Sequence, residues 1–342
     1  MYRLRVQGSP RAMGLAHGEE LRVPIHELAA IRHALVRRRM PQWSAEGIDA
    51  LASRQVDALA RHPSLYDEFR GIADGSGLSL PALMVLNNYT DLRDFDSSQE
   101  GCSTFSIRSA SHDVCGQTWD MHASARPFVL HLSRMGGDRA EVLTLTGCPA
   151  LAGVNAHNVG VFINNLNCTQ TGNGLMWPGL VQRMLLEPSA SRAVDMLREQ
   201  LPCSGHNYLV CGDDTVINVE TTGAQLDVTF QASHGATFHT NHYLGRLQAH
   251  ERVDRRSATS EPRLEALRHY FARHDASAGD IDRVACMLCS TDGEDSICVP
   301  YSGDDASLTC GGILYDRVQR HGVVFAGAFD EQDHSPFQIP AP

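Results

Sequence analysis

Between residues 19 and 40 the apolar positions Leu21, Ile25, Leu28, Ile31 and Leu35 recur close to every 3.6 residues, with arginines on the opposite side. That spacing predicts an amphipathic helix. Pro24 stands near its start, where a proline is tolerated. A second helix is predicted over 45–61, with Ile48, Leu51, Val56 and Leu59 facing inward. A third is predicted over 64–73, stopped by Gly75-Ser76-Gly77. A fourth follows Ser79-Leu80-Pro81 and carries Leu83, Val85 and Leu86. Near residue 101 the period changes to two, and strands are predicted over 103–108, 114–121, 128–135, 141–146 and 159–164. Helices return over 178–186 and 190–200, the latter with Ser189 as N-cap. Strands resume at 207–211, 216–220, 226–231 and 237–240. Helices over 261–273 and 280–288 and strands over 308–315 and 322–327 complete the chain. Strands come in runs rather than alternating singly with helices. This favours an α+β fold with antiparallel sheets over a doubly wound parallel one.

Composition narrows the function classes. The 342 residues carry 29 Lys+Arg against 40 Asp+Glu, a formal charge of −11, and 42% are hydrophobic. An acidic chain lacks the clustered cations that a phosphate backbone demands, so no nucleic-acid partner is expected. No apolar run nears the roughly 20 residues of a membrane helix, and none is expected. The opening from Met1 to Gly14 holds no apolar signal core, which predicts a cytoplasmic protein. In that compartment its ten cysteines stay reduced. No internal repeat, linker tract or glycine-rich phosphate loop is present.

The chemistry concentrates where the period changes. Gly101-Cys102-Ser103-Thr104 follows a polar stretch, 94–100, that reads as an exposed loop, and Cys102 opens a strand. Its thiol could attack the Gly101 carbonyl, and hydrolysis of the thioester would leave Cys102 as a new N-terminus. The freed α-amine, with an ordinary pKa of about 7.7–8.0, is placed to act as base for its own thiol. The competing reading is an inert cysteine buried in a strand. Asp120, in Gly116-Gln117-Thr118-Trp119-Asp120-Met121, lies on the neighbouring strand, where it could hold an attacking or substrate amine. The alternative is an exposed strand-end carboxylate. Asn241, in His239-Thr240-Asn241-His242, could supply an oxyanion donor, although the segment also suits a polar turn. Asn164, within Ile163-Asn164-Asn165-Leu166-Asn167, suits a site wall or again a turn. The pair Cys286 and Cys289 lacks the second pair of a zinc ribbon and reads as helix core. The seventeen histidines are scattered, so no metal site and no cofactor are expected.

Taken together, these motifs resemble the acyl-coenzyme A:6-aminopenicillanic acid acyltransferase (isopenicillin N acyltransferase) family of N-terminal nucleophile hydrolases. The resemblance extends to Gly153-Val154-Asn155, to Gly160-Val161, to Ala16-His17-Gly18, to the 71–77 glycine segment, to Ser296-Ile297-Cys298 and to Ile313-Leu314-Tyr315-Asp316. It implies an αββα sandwich of two antiparallel sheets between helical layers. It implies self-cleavage between Gly101 and Cys102 into a helical α chain, 1–101, and a β chain, 102–342, which stay associated as one domain. Cys102 would be nucleophile and its amine the base, Asp120 the catalytic aspartate and Asn241 the oxyanion donor. Asn164 would be a site-wall residue, and Thr222, in Glu220-Thr221-Thr222, would serve processing. By proximity in sequence alone, Trp119, Met121, His122 and parts of 166–177 would line the substrate pocket. The implied substrate is a small N-acyl amide or an acyl-CoA, and a homo-oligomer is compatible with it. One departure stands out. The penicillin-forming members carry an arginine after the Ser-Ile-Cys run, where this chain has Val299. Since an arginine–carboxylate contact is a strong recognition device, hydrolysis of another amide is the leading expectation. Acyl transfer to an amine is the second. A non-catalytic or metal-binding globule is the third.

Overall fold

The computed structural model describes residues 1–93, 101–109, 112–200, 202–273, 281–288, 297–303, 306–331 and 333–340. The loop expected over 94–100, Ser296 and the Cys286–Cys289 pairing lie outside these residues or their described side chains. The chain begins with β1 (Tyr2–Gln7), followed by six helices: α1 (Pro10–Glu20), α2 (Arg22–Arg39), α3 (Ala45–Leu59), α4 (Pro63–Ser76), α5 (Leu80–Asn87) and α6 (Tyr89–Arg93). Then come β2 (Cys102–Arg108), β3 (Asp113–His122), β4 (Val129–Met135), β5 (Ala140–Leu145), β6 (Ala152–Asn155) and β7 (Gly160–Asn165). Two helices follow, α7 (Trp177–Met184) and α8 (Ala190–Glu199), and then β8 (His206–Cys211), β9 (Val216–Thr221), β10 (Leu226–Ala232) and β11 (Gly235–His239). The last elements are α9 (Ser260–Arg273), α10 (Ile281–Leu288), β12 (Ser307–Asp316), β13 (His321–Ala326) and β14 (Asp333–Gln338).

Two sheets stack face to face. The first runs β1-β4-β5-β6-β7-β8-β9-β10 and the second β11-β2-β3-β12-β13-β14. Every pairing is antiparallel except β1 with β4. Strands β2 and β3 pack on β7 and β8 across the interface. Helices α1, α7 and α8 cover the first sheet, α4 lies on α1 and α7, and the remaining early helices extend that layer. On the far side α9 and α10 cover the second sheet over Phe105, Ile107, Val114, Leu267, Val284 and Phe325. The order helices, sheet, sheet, helices is the α+β sandwich expected.

The first predicted helix needs correction. A single helix from residue 19 was expected, but the chain breaks at Leu21 and α1 precedes it. The starting signals of α1 are present, since Ser9 accepts from the Ala12 N–H and Pro10 stands at the first turn. Its buried face escapes an apolar pattern because it is built of Gly14, His17 and Gly18. A Cβ at Gly18 would lie 2.4 Å from the Ile72 carbonyl oxygen, and one at Gly71 2.5 Å from that of Arg11. The glycines of both motifs therefore let α1 and α4 touch backbone to backbone. At the other end of α4, Gly77 closes the helix at φ +80°, the left-handed cap that glycine favours. Strands β1, β6 and β14 were not expected from the pattern: β6 has four residues, and β14 carries Pro336 on a sheet edge.

Candidate active site

The register of the second sheet assembles the site. Cys102 opens β2 opposite Trp119 of β3, so Asp120 lies one step beyond, level with Gly101. The Asp120 N–H donates to the Gly101 carbonyl oxygen at 2.7 Å, which extends the ladder past the strand. On the other flank β11 pairs Thr104 with His239, and the chain then turns through Thr240 to Asn241. The Cys102 N–H donates to Asn241 Oδ1 at 2.7 Å. Both polar atoms of the Gly101–Cys102 peptide are thus held, the oxygen by Asp120 and the nitrogen by Asn241.

Asn241 is itself fixed. Its Nδ2 donates to the Asn165 carbonyl at 3.0 Å, and its backbone N–H donates to Ser260 Oγ at 2.8 Å. Behind it, Glu220 accepts from His239 Nε2 at 2.8 Å and from the Leu244 and Gly245 N–H groups, which clamps the turn that carries Asn241.

Asp120 is almost fully buried, and its two oxygens differ. Oδ1 accepts from Thr309 Oγ1 at 2.6 Å, whereas Oδ2 is buried without a partner. Burial pushes its pKa up to about 6, against the opposing pull of Arg263 and of the Thr309 hydrogen bond. An unpartnered buried carboxylate oxygen is a costly arrangement, of the kind found at functional sites.

Arg263 of α9, 1% exposed, is a candidate site residue that the sequence analysis missed. Its Nη1 donates to the Cys102 carbonyl and to Ser103 Oγ, each at 2.8 Å, and its Nη2 to Asn241 Oδ1 at 2.9 Å. Burial pulls its pKa below the ordinary arginine value, while Asp120 and Cys102 oppose that shift. The signal was available. Arg263 shares the buried face of α9 with Ser260, Leu264 and Leu267, an apolar-stripe position where a solvated arginine does not belong.

The remaining expectations separate. Trp119 and Met121 line the small cavity at Cys102, together with Ile163, Asn165, Trp177 and His206. Asn164 stands behind Cys102: its Nδ2 donates to the Cys102 carbonyl at 3.0 Å and its Oδ1 accepts from Thr104 Oγ1 and Asn207 Nδ2, both at 2.9 Å. His122 turns to Ser124, with Nδ1 2.8 Å from its Oγ, and is not part of the cavity lining. Thr222 holds the 222–225 turn, bonded to Gln170 Oε1 and to the Ala224 and Gln225 N–H groups. The cavity at Cys102 has a volume of about 10 Å³, the room of a single water. Among the described residues, no group of three or more His, Cys, Asp or Glu is placed to hold a metal ion, and no helix is long and apolar enough to cross a membrane.

Comparison with known proteins agrees with the sequence resemblance. Over 98% of its length the chain is 24% identical to the acyl-coenzyme A:6-aminopenicillanic-acid-acyltransferase 40 kDa form of Emericella nidulans, covering 95% of that protein. Among solved structures, a mutant conjugated bile acid hydrolase of Clostridium perfringens aligns over 70% of this chain and 92% of its own, at 9% identity and a TM-score of 0.41. Penicillin V acylase from Agrobacterium tumefaciens aligns over 66% of this chain and 82% of its own, at 10% identity and a TM-score of 0.37. The model of one family matches residues 111–328, well over half of the chain. On that match the chain belongs to the acyl-coenzyme A:6-aminopenicillanic acid acyl-transferase family.

Proposed function

We propose that this chain is a self-processing N-terminal-cysteine amidase that cleaves an N-acyl amide through a thioester at Cys102. The observation that carries this reading is the double hold on one peptide, with Asp120 N–H on the Gly101 oxygen and Asn241 Oδ1 on the Cys102 N–H, each at 2.7 Å. A donor on a carbonyl oxygen stabilises the charge that develops there when a nucleophile adds. In processing, Cys102 Sγ adds to the Gly101 carbonyl carbon. The C–N bond breaks, and the departing nitrogen takes up a proton. Asp120 Oδ2, buried without a partner, would receive the thiol proton and return it to that nitrogen. Water then breaks the C–S bond, leaving a carboxylate at Gly101 and a free thiol and α-amine at Cys102.

In turnover the α-amine takes the thiol proton, Sγ adds to the substrate amide and the amine leaves. Water releases the acid. Asn241 has a second Nδ2 proton beyond the one it gives to Asn165, a donor for the substrate oxyanion. The two chains would stay together, because helices of 1–93 share one apolar core with both sheets.

Acyl transfer to an amine is the second reading, favoured by the activity for which the Emericella relative is named. Against it stands Val299, whose backbone bonds Thr309 one step from Asp120, with no charged head to bind a carboxylate. Supplying an acyl thioester with candidate amines separates the two, since formation of free acid alone excludes transfer. Denaturing mass spectrometry tests the shared mechanism. A fragment of about 26 kDa, 241/342 of 37.4 kDa, should begin at Cys102 and disappear in Cys102→Ala. An intact chain with full activity refutes it.

A further inference from the structure

On the mechanism proposed above, the first acyl group that Cys102 meets is the protein's own residues 1–101. Every later substrate brings its carbonyl carbon to the same sulfur. Where a substrate's acyl group takes the place of residue 101, the space around Gly101 Cα measures the room for the carbon next to its scissile carbonyl.

That space is closed on one face. A Cβ added at Gly101 would lie 2.6 Å from Asp120 Oδ2, 2.8 Å from Arg263 Nη2 and 3.2 Å from Arg263 Cζ. Contacts this short require something to move, and neither side chain is loose. Asp120 is pinned through Oδ1 to Thr309 at 2.6 Å. Arg263 is held by the Cys102 carbonyl, Ser103 Oγ, Asn241 Oδ1 and Thr259 Oγ1. Shifting the guanidinium would break bonds to the same atoms that present the nucleophile. The cost of a methyl group thus falls on the machinery itself.

We infer, on the reading that Cys102 is the nucleophile, that the enzyme selects acyl groups unbranched at the carbon next to the scissile carbonyl, a CH2–CO unit. Branching is excluded on the face where an L side chain would stand. Asp120 and Arg263 would then act as specificity determinants in addition to their contacts with the reacting peptide.

Two measurements test this. The first compares kcat/KM of the processed protein on octanoyl p-nitroanilide and on both enantiomers of its 2-methyl derivative. The enantiomer whose methyl takes the L position should fall by about 10- to 200-fold, the discrimination typical of one methyl group. Both enantiomers reacting within twofold of the straight chain would overturn the inference. Release from none of the three counts against the amidase reading instead. The second follows self-cleavage of Gly101→Ala by mass spectrometry, with circular dichroism confirming that it folds. Slowing by a similar factor is expected, and cleavage at the wild-type rate would overturn the inference. A wild-type chain that never cleaves refutes the function on which it rests.

Discussion

Asp120 should weaken the fold at neutral pH, and removing its charge should stabilise the protein while abolishing its chemistry. Burial raises its pKa from 3.8 to about 6, with the attraction of Arg263 and the Thr309 hydrogen bond already included in that balance. The difference of about 2.2 pKa units, at 1.36 kcal/mol each, disfavours the ionised form by about 3 kcal/mol. A carboxyl raised in the folded state contributes stability that is present below 3.8 and lost as pH rises through 6. Asparagine mimics the neutral acid at every pH. Urea unfolding of Cys102→Ala should therefore be compared with that of Cys102→Ala/Asp120→Asn, so that both chains remain uncleaved. The double variant should be more stable by up to about 3 kcal/mol at pH 7.5, and the gain should shrink towards zero by pH 4. With Cys102 restored, Asp120→Asn should slow self-cleavage by about 10²–10⁴-fold, the usual share of a proton-transferring group. Destabilisation at pH 7.5, or a difference that ignores pH, would show that the carboxylate is not held against its own burial.

The other consequences concern the opposite flank and the helical layer. Asn241→Ala removes the partner of the Cys102 N–H. It should slow turnover by about 10²–10³-fold, the loss typical of one oxyanion donor. Retained rates with an unchanged circular dichroism spectrum would place the oxyanion elsewhere. His17 accepts the Gly147 N–H on Nε2 at 2.9 Å, and burial first, then Arg134, lowers its pKa from 6.5 to about 4. A histidine lowered in the folded state gives stability that is full above 6.5 and lost as pH falls towards 4, about 3 kcal/mol in all. Unfolding free energies measured across that range should show the loss in the wild type and a smaller one in His17→Gln. Equal slopes would refute the assignment.

The strand register explains what could be read from the sequence. Cys102, Asp120 and Asn241 stand at the ends of β2, β3 and β11, which are neighbours in one sheet. Alternating apolar positions and a change of period sufficed to find those strands, and strand ends placed the chemistry. Asn164 was singled out, but a linear pattern does not say which side of a strand a neighbour occupies. The structure puts Asn164 behind Cys102 and Asn165 in the cavity lining. Thr222 and His122 carry polar side chains at strand ends too, yet their partners are local turns. Position at a strand end is therefore necessary for this site and not sufficient.

What the sequence hid is what breaks local rules. Arg263 comes from 161 residues downstream of Cys102 and sits on the apolar face of a helix. Asp120 keeps one buried oxygen without a partner. Gly101 occupies a place where no side chain fits. Each is unfavourable by the ordinary accounting of burial, hydrogen bonding or backbone freedom. All three meet at one peptide bond, and on the proposed mechanism each has a use there: the arginine holds the Cys102 carbonyl, the carboxylate carries a proton, and the glycine leaves room between them. A structural cysteine at the start of β2 would need none of these. Their coincidence at Gly101–Cys102 therefore weighs against the inert-cysteine reading more strongly than any of the sequence motifs taken alone.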